Sequence, residues 1–395
     1  MQLASLLDRP QLTILGLNSG TSADGLDLAV ITIPRDSTKP VTFLHGMQRE
    51  FPGTIRKSIL QLADGKNTTL EEVVRIDSML GQFFGRTAAS YLKQLAKRRI
   101  KVDAIASHGQ TVRHLPHRIR LGAYVVHGTL QLGSLARLAA LTGKVTVGDM
   151  RQADVALGNE GAPITVAAVA RLFGHPKESR LIVNVGGMAN FFYLAASARP
   201  EKTLAADCGP GNVLSDLLSQ SFFGEKYDRN GRYAQKGRCS KRLLSLVTGM
   251  KFFQGGMVST GRELFGQALA ERLIRDGKRL HLSPEDILAT AIEITSFGIC
   301  RKVQPLVRKD HSIRKLYLTG GGSYNSFLKE RIAAGLDGVE VSTVAELGMD
   351  PSLTEAASYA VIGAACLWSQ PMPTRFGSGK QTKLPILGVI AQPPV

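Results

Sequence analysis

Apolar positions in this chain alternate between short runs, typical of buried strands, and longer stretches with helical spacing. Residues 12–17 (LTILGL) and 28–33 (LAVITI) predict two strands, and the turn-forming NSGTSADGLD between them predicts a β-hairpin. Residues 181–185 (LIVNV) and 191–194 (FFYL) repeat this plan around GGMAN. The pattern therefore predicts a hairpin near the start of each half of the chain.

A second recurring unit is an apolar strand that runs into a polar loop containing glycine. It occurs at residues 102–111 (VDAIASHGQT) and again at 315–325 (KLYLTGGGSYN). Ser283 and Pro284 mark a helix start, because serine caps helices and proline suits their first position. Apolar residues at the spacing of one buried helix face predict helices at 70–98, 163–173, 212–222, 262–275, 284–307, 324–334 and 354–368.

Two halves with the same order of elements indicate a duplicated architecture. Strands that alternate with helices predict α/β layers. We therefore expect an α/β fold of two duplicated actin-like (ribonuclease-H-like) domains with a nucleotide cleft between them. The expected N-terminal domain covers residues 1–155 and the C-terminal domain residues 156–365, and the segment of about 366–395 is expected to return to the first domain.

Composition narrows the class of protein. The chain has 395 residues, 44% hydrophobic and 21% charged, as in ordinary soluble globular proteins. No apolar run approaches the roughly 20 residues that span a bilayer, and MQLASLLDRPQ has an acid and a proline where a signal peptide is apolar. We therefore expect a cytoplasmic protein with no membrane partner. Because the four cysteines form no CxxC pair, we expect free thiols.

The net charge of +17 is the unusual feature of the composition. Such an excess of Lys and Arg can attract nucleic acid or an anionic membrane surface, or can reflect phosphate-rich substrates. The basic residues are scattered, with short bunches at 97–101 and 113–120. No zinc finger or aromatic-interleaved basic face accompanies them. A solvated basic surface is the simpler interpretation, so we expect no specific nucleic-acid partner.

Three glycine-rich loops could hold a nucleotide, and the first runs from Gly16 to Asp27. Its glycines let several backbone N–H groups converge on one anion, and hydroxyl groups add donors. It lacks the Gly-Lys-Ser/Thr ending of a Walker A loop. A structural hairpin turn is the alternative. The candidate ATP-binding residues are Gly16, Ser19, Gly20, Thr21, Ser22 and Asp24.

The second and third loops each follow a predicted strand. In 207–212 (DCGPGN), Asp207 precedes a glycine-rich turn and a helix N-terminus, which favours phosphate; its carboxylate could bind hydrated Mg²⁺ or accept a proton. In 319–325, three consecutive glycines permit close approach of adenosine. Each loop could also be only a tight turn, with Asp207 capping it. The candidate ATP-binding residues here are Gly209, Gly211, Asn212, Gly320, Gly321 and Gly322.

A polar cluster between these loops could contact a substrate. The motif SHGQT at 107–111 is predicted to end a strand, and Arg151 could bind an anion through its forked guanidinium. His108 could contact the substrate or could be a hydrogen-bonded structural residue. Asp154 could act as a base, or could support Arg151 or a turn. We take His108, Arg151 and Asp154 as candidate substrate-binding residues.

Eight motifs together resemble the anhydro-N-acetylmuramic acid kinases, a family of actin-like sugar kinases to which the levoglucosan kinases are similar. The resemblance runs from about residue 14 to at least residue 365. In chain order the motifs are GLNSGTSADGLD, SHGQT, GDMRQADVALGNEGAP, NVGGMAN, DCGPGN, STGRE, TGGGSYN and TEAASYA.

The resemblance implies an unusual reaction. The substrate is a 1,6-anhydro sugar; an aspartate activates water, which attacks the anomeric carbon, and the released oxygen attacks the γ-phosphate of ATP. Asp207 matches the family's general base, and Glu355 in TEAASYA matches an acid near substrate and metal. Mg²⁺ would therefore be bound by Glu355 and, through water, by Asp207. The resemblance also implies a homodimer and, for a muramyl substrate, a role in cell-wall recycling.

Several residues depart from the family pattern. Asn18 stands where methionine is frequent, Asn159 and Glu160 replace Gly-Gln, and Met257-Val258 replaces Pro-Lys. Gln152-Ala153 replaces a basic pair. An added acid and lost cations could weaken binding of the lactyl carboxylate of N-acetylmuramic acid. The muramyl sugar is the expected substrate, and a neutral sugar such as levoglucosan is the alternative. Retention of the loops and both acids disfavours a catalytically silent nucleotide-binding module.

Overall fold

A computed structural model describes residues 3–20, 22–65, 68–197, 203–255, 262–374 and 383–394. Contacts divide the chain into two compact units, Met1–Leu172 with Leu353–Val395, and Phe173–Ser352. The sequence placed these boundaries near residues 155 and 365, so both differ from those that the contacts define. All four cysteines are free thiols. No helix in the described ranges has both the length and the apolarity needed to cross a bilayer.

The first unit is built on a sheet of seven strands in the order β12-β6-β4-β1-β2-β3, with β5 beside β4. Strands β1 to β3 form an antiparallel meander, and β4 and β6 run parallel to β1. Its elements up to the boundary are α1 (Ala4–Leu7), β1 (Gln11–Ser19), β2 (Gly25–Pro34), β3 (Thr42–Glu50), α2 (Gly53–Asp64), α3 (Leu70–Lys97), β4 (Ala104–Leu121), β5 (Tyr124–Leu132), α4 (Leu135–Thr142), β6 (Thr146–Gly148), α5 (Gln152–Ala156) and α6 (Val166–Phe173).

The motif SHGQT lies within a strand, so the prediction that it ends one is wrong. β4 continues through residues 107–111 to Leu121 and pairs antiparallel with β5 from Gln110 onward. Most side chains beyond residue 112 are exposed. A solvated ribbon lacks the apolar pattern of a buried strand, and its polar residues therefore predict a loop. The basic bunch at 113–120 lies on this ribbon.

The second unit is built on a sheet of five strands in the order β11-β10-β7-β8-β9. Strands β7 to β9 form an antiparallel meander, and β10 and β11 run parallel to β7. Its elements are β7 (Arg180–Val185), β8 (Met188–Leu194), β9 (Leu204–Pro210), α7 (Val213–Phe223), α8 (Lys241–Thr248), α9 (Lys251–Gln254), α10 (Arg262–Phe265), α11 (Gln267–Arg279), α12 (Pro284–Lys309), β10 (Lys315–Thr319), α13 (Ser326–Ala334) and β11 (Glu340–Thr343).

The last two elements, α14 (Thr354–Leu367) and β12 (Val389–Ala391), belong to the first unit. β12 pairs antiparallel with β6. α14 lies so close to β1 that a Cβ atom on Gly16 would be 1.9 Å from the Ala356 carbonyl oxygen. This contact explains why α14, which the sequence assigned to the second domain, is part of the first. Its alanine-rich pattern predicts a buried helix without indicating which sheet it covers.

The two sheets share one plan, which confirms the predicted duplication. In each, an antiparallel three-strand meander is followed by two strands that run parallel to the first strand of the meander. This is the strand arrangement of the ribonuclease-H-like fold. Each sheet has a core of its own: Leu80 and Phe84 of α3 pack in the first, and Ile287 and Ile294 of α12 in the second.

Candidate active site

Strand β1 of the first unit ends in two buried polar residues, Asn18 and Ser19. Asn18 Nδ2 donates a hydrogen bond of 2.8 Å to Glu355 Oε2 in the first turn of α14. Ser19 Oγ donates to Gln110 Oε1, and Gln110 Nε2 donates over 3.2 Å to the carbonyl oxygen of Gly20. The start of the first glycine-rich loop is therefore bonded to both α14 and β4, and the exposed Glu355 is oriented by Asn18.

The remaining predicted residues of this loop divide into three groups. Gly16 packs so closely against Ala356 of α14 that a side chain has no room at this position. Asp24 Oδ1 lies 3.5 Å from Arg56 Nε of α2, and its backbone carbonyl accepts from Phe51 N. Ser22 is half-buried, whereas Thr21 lies outside the described residues. The assignment of these residues to ATP stays a prediction.

His108 lies in a buried network with Arg151 and Tyr359. Arg151 Nε donates to His108 Nε2 over 2.9 Å, and His108 Nδ1 is 3.1 Å from the carbonyl oxygen of Gly109. This pattern assigns the ring proton to Nδ1. Burial, reinforced by the Arg151 cation, holds the pKa of His108 well below its usual value, so the imidazole is neutral. Both ring nitrogens are engaged, and direct contact with a substrate would break one of these bonds.

Tyr359 of α14 forms the other side of this network. Its ring stacks on His108, with centroids 4.4 Å apart and an angle of 22° between the planes. Burial raises the pKa of the Tyr359 hydroxyl to about 12. In the sequence, this tyrosine is only one residue of the motif TEAASYA, and no local pattern marks it as part of the site. Its role depends on helix α14 lying on the first sheet, which the sequence did not predict.

Asp154 supports the loop that holds Arg151. Its Oδ1 accepts from Asn159 Nδ2 over 2.8 Å and from Thr374 Oγ1, and its Oδ2 accepts from Gly161 N over 2.9 Å. Arg151 Nη1 in turn donates to the Gly161 carbonyl oxygen over 2.7 Å. With three donors on a carboxylate that is 2% exposed, the geometry favours the supporting role over that of a base.

In the second unit, the two other glycine-rich loops meet around Asn212. Asn212 N donates to the Gly186 carbonyl oxygen over 2.8 Å, and Asn212 Nδ2 donates to the Val185 carbonyl oxygen over 3.2 Å. A Cβ atom on Gly321 would lie 3.7 Å from Asn212 Nδ2. Residues 209–212 and 320–322 therefore lie together at the carboxyl ends of β7 and β10, as the predicted nucleotide-binding role requires.

The N-terminus of α7 offers fewer free donors than the sequence predicts. Gly211 N and Val213 N both donate to the Gly187 carbonyl oxygen, at 3.0 and 3.1 Å. Together with Asn212 N, these groups are occupied by the β7–β8 hairpin. The prediction that free first-turn N–H groups point at phosphate is thus restricted to the groups that follow Val213.

Asp207 lies in β9 opposite Asn190 of β8 and is partly exposed. Asn190 Oδ1 is buried and has no hydrogen-bond partner among the described residues. Lys302 of α12 lies within the electrostatic reach of Asp207: burial lowers the pKa of Lys302, and the Cys208 and Asp207 side chains oppose that change. Sequence reasoning missed Lys302, because nothing in a helical pattern indicates a partner on another element.

Within the described residues, no group of three or more His, Cys, Asp or Glu side chains could hold a metal ion. Asp207 and Glu355 are nevertheless oxygen donors, the kind that Mg²⁺ prefers. A cavity of about 620 Å³ lies in the first unit; Met47, Phe83 and Arg86 are among its lining residues, and none of the predicted site residues contributes to it.

The motifs that surround these residues extend over the whole chain. The family model for anhydro-N-acetylmuramic acid kinase matches residues 12–393. The chain belongs to the anhydro-N-acetylmuramic acid kinase family. This family member is therefore a phosphotransferase that acts on a sugar.

Curated relatives of this family member match over nearly their full length. It is 32% identical over 394 residues to the anhydro-N-acetylmuramic acid kinase of Salinibacter ruber, covering 98% of each chain. It is 34% identical to that of Shewanella loihica, covering 94% of this chain and 96% of the relative. It is 36% identical to that of Crocosphaera subtropica, covering 88% and 90%.

Proposed function

We propose that this protein is an ATP-dependent kinase that cleaves the 1,6-anhydro bond of 1,6-anhydro-N-acetylmuramic acid and phosphorylates O6. The products are N-acetylmuramic acid 6-phosphate and ADP. The family match over residues 12–393, with Asp207 and Glu355 both retained in their motifs, is the observation that carries the proposal. We take the substrate from the relatives, which are named anhydro-N-acetylmuramic acid kinases.

Asp207 is the proposed general base. It accepts a proton from a water molecule whose oxygen bonds to C1 of the sugar while the bond from C1 to the bridging oxygen breaks. The electron pair of that bond stays on O6. The partly exposed position of Asp207 within β9, with Lys302 in electrostatic reach, supports this role, because a general base must be able to contact the water molecule from which it takes a proton.

O6 then attacks the γ-phosphorus of ATP, and the bond between that phosphorus and the oxygen of the β-phosphate breaks. The nucleotide would be bound by the loops that meet at Asn212. Glu355, oriented by Asn18, and Asp207, through water, would hold Mg²⁺. When bound, Mg²⁺ neutralises charge on the transferring phosphoryl group.

Arg151 is the proposed anchor for the sugar. Its guanidinium is bonded on one side to His108 and on the other to the Gly161 carbonyl, so its orientation is fixed before the substrate arrives. A preorganised guanidinium suits the carboxylate of a lactyl group. Asp154 and His108 thus act on the substrate through Arg151.

A neutral anhydro sugar such as levoglucosan is the second candidate substrate. Glu160 is exposed on the loop that holds Arg151, and its charge acts on His114. Gln152 uses its amide to donate to the Thr129 carbonyl oxygen over 2.8 Å and supplies no cation. An acid added near Arg151 and a cation lost at residue 152 favour a substrate without a carboxylate.

The decisive experiment measures ADP release with four sugars: 1,6-anhydro-N-acetylmuramic acid, levoglucosan, glucose and N-acetylglucosamine. We expect the highest kcat/KM with the muramyl sugar and a 6-phosphate product by NMR. Higher turnover of levoglucosan would select the second candidate. Turnover of the free hexoses alone would contradict cleavage of an anhydro bond and indicate a conventional sugar kinase.

We further propose that the enzyme acts in the cytoplasm as a homodimer and that its +17 charge forms a general basic surface. DNA retention on filters, measured as salt is raised, tests the last point. Binding that disappears at moderate salt, without preference among sequences, is expected of general charge attraction.

A further inference from the structure

Asp149, which follows β6, has a backbone conformation that side-chain-bearing residues seldom adopt. Its φ is +50°, in the left-handed region. Aspartate tolerates this region better than most residues, but glycine and asparagine adopt it with less strain. Strain of this kind persists where the surrounding structure imposes it, and it is concentrated at functional sites.

The neighbours of Asp149 hold it in place on both sides. Gly148 pairs with Val389 of β12, and Met150 is 1% exposed. Arg151 follows, bonded to His108 and to the Gly161 carbonyl. The segment cannot relax without moving a strand or the guanidinium of Arg151.

Asp149 also follows the end of β6 on the side of the sheet where the neighbouring parallel strands carry polar residues. Ala106 of β4 pairs with Val147 of β6, so His108 and Asp149 each lie two residues beyond that pair. Leu17 of β1 pairs with Ser107, and Ser19 pairs with Gln110 after a shift in register, so Asn18 lies opposite the segment of His108 and Gly109. Asn18 and His108 both have partners on α14, Glu355 and Tyr359.

The carboxylate of Asp149 differs from the side chains of Asn18 and His108. It is half-buried, and no described residue gives it a hydrogen bond or an ion pair. Burial raises the pKa of Asp149. A half-buried carboxylate that no protein donor satisfies is open to a hydrogen bond from water or from a ligand that displaces it.

We propose that Asp149 is a substrate-binding residue whose carboxylate accepts a hydrogen bond from a hydroxyl or amide N–H group of the sugar ring. This inference rests on the proposed function, because it takes the ligand to be the sugar that the enzyme phosphorylates. Arg151, two residues further on, would bind an anionic substituent of the same sugar. Asp149 thus recognises the neutral donors of the ring, and Arg151 recognises its charge.

The test replaces Asp149 in two ways and measures stability and kinetics together. Asp149→Asn keeps the shape and tolerates the left-handed conformation, and Asp149→Gly removes both the carboxylate and the strain. We expect the Tm of each variant to equal or exceed that of the parent. We expect kcat/KM for the sugar to fall about 10- to 100-fold, and the KM values for ATP and Mg²⁺ to stay constant.

His281→Gly is the matched control. His281 is exposed, lies after α11 in the second unit and has a φ of +55°. Glycine there should relieve strain in the same way while the sugar kinetics stay unchanged. The control separates the effect of the backbone from that of the carboxylate.

Two results would overturn the inference. One is a lower Tm with unchanged kcat/KM for the sugar, which would make Asp149 a structural residue. The other is a raised KM for Mg²⁺ with an unchanged KM for the sugar, which would make it a metal ligand. A parent enzyme active on a free hexose, but not on anhydro sugars, would overturn the proposed function alone, and the variants would then be compared on that hexose.

Discussion

The two units share one strand order but hold their candidate site residues in different ways. In the first unit, side chains supply the bonds, either to other side chains, as in the pairs Asn18–Glu355 and Arg151–His108, or to backbone groups. In the second, most of the bonds run from backbone to backbone: the N–H groups of Gly211 and Asn212 donate to carbonyls of the β7–β8 hairpin, and only the Asn212 amide adds a side-chain bond there. The same framework therefore holds its candidate residues by two kinds of hydrogen bonding.

This difference indicates how each site responds to substitution. A side-chain network changes whenever one of its members changes, and can therefore be adapted to a particular sugar. A site formed by backbone groups tolerates many side chains, but it is disrupted when an added side-chain atom forces the backbone to move. Substitutions in the network around Arg151 should change the kinetic parameters for the sugar, and substitutions in the loops that meet at Asn212 should change those for the nucleotide. Asp207 differs from both because it acts through its carboxylate.

The largest effect is expected for Asp207→Asn. Loss of the general base should lower kcat about 1,000-fold, since such groups contribute roughly 10²–10⁴ in rate. Nucleotide affinity should stay within about twofold, because a neutral amide leaves the backbone loops intact. ADP release and nucleotide titration measure the two quantities. A variant that converts the anhydro sugar at the parental rate would remove Asp207 from catalysis.

Glu355→Ala should produce the next largest effect. It removes both the acid and the acceptor of the Asn18 hydrogen bond, and we expect kcat/KM for the sugar to fall about 100-fold. Glu355→Gln keeps an acceptor for Asn18 and loses only the charge. If kcat/KM falls equally in both variants, the negative charge of Glu355 is required. If Glu355→Gln keeps the parental kcat/KM, the hydrogen bond with Asn18 is what the site requires. Parental kinetics in both would exclude Glu355 from the site.

Gly320→Ala examines the backbone site. Gly320 has a φ of +78°, and a Cβ atom there would lie 2.5 Å from Asn184 Oδ1. We expect the free energy of unfolding to fall by about 2–3 kcal/mol and the KM for ATP to rise. Gly338→Ala is the control, because its φ is +71° and no atom lies within 4 Å of the added Cβ. It should destabilise by only about 1 kcal/mol and leave ATP kinetics unchanged.

His108→Gln should have the smallest effect at neutral pH and a distinct pH dependence. In the folded protein the pKa of His108 is well below its usual value, so only the unfolded chain takes up this proton as pH falls below about 6.5. The parent should therefore lose about 2 kcal/mol more stability than the variant between pH 7 and pH 5. Urea unfolding at both pH values measures this. Parallel loss in parent and variant would contradict a neutral, buried His108.

Much of the fold could be predicted from the sequence, because buried strands and amphipathic helices carry their own periodicity. The hairpin of β1 and β2 and the helix at Pro284–Lys309 follow from such local patterns. The extension of β4 to Leu121 could not, because an exposed ribbon has no apolar pattern. The unit to which α14 belongs could not either, because a helix buried over nearly its whole surface has no outward face to orient it.

In the candidate site, too, local motifs could be predicted from the sequence, whereas contacts between distant elements could not. The motifs identified Asp207, Glu355 and Arg151 as chemically suited residues. They did not identify Lys302 or Asn190 as neighbours of Asp207, because those relations cross from one element to another. The supporting role of Asp154 also depends on Thr374, which is 220 positions away in the chain.

The contact between Gly16 and α14 bears on how this enzyme could be redesigned for other sugars. Ala356 contacts strand β1 at Gly16, and Glu355 is the residue before Ala356. The position of the Glu355 carboxylate therefore depends on a glycine in another element. A bulkier residue at position 16 would displace the helix start and carry the acid with it. Mutant libraries should accordingly keep Gly16 constant and randomise Asn18, which touches the acid without setting where the helix sits.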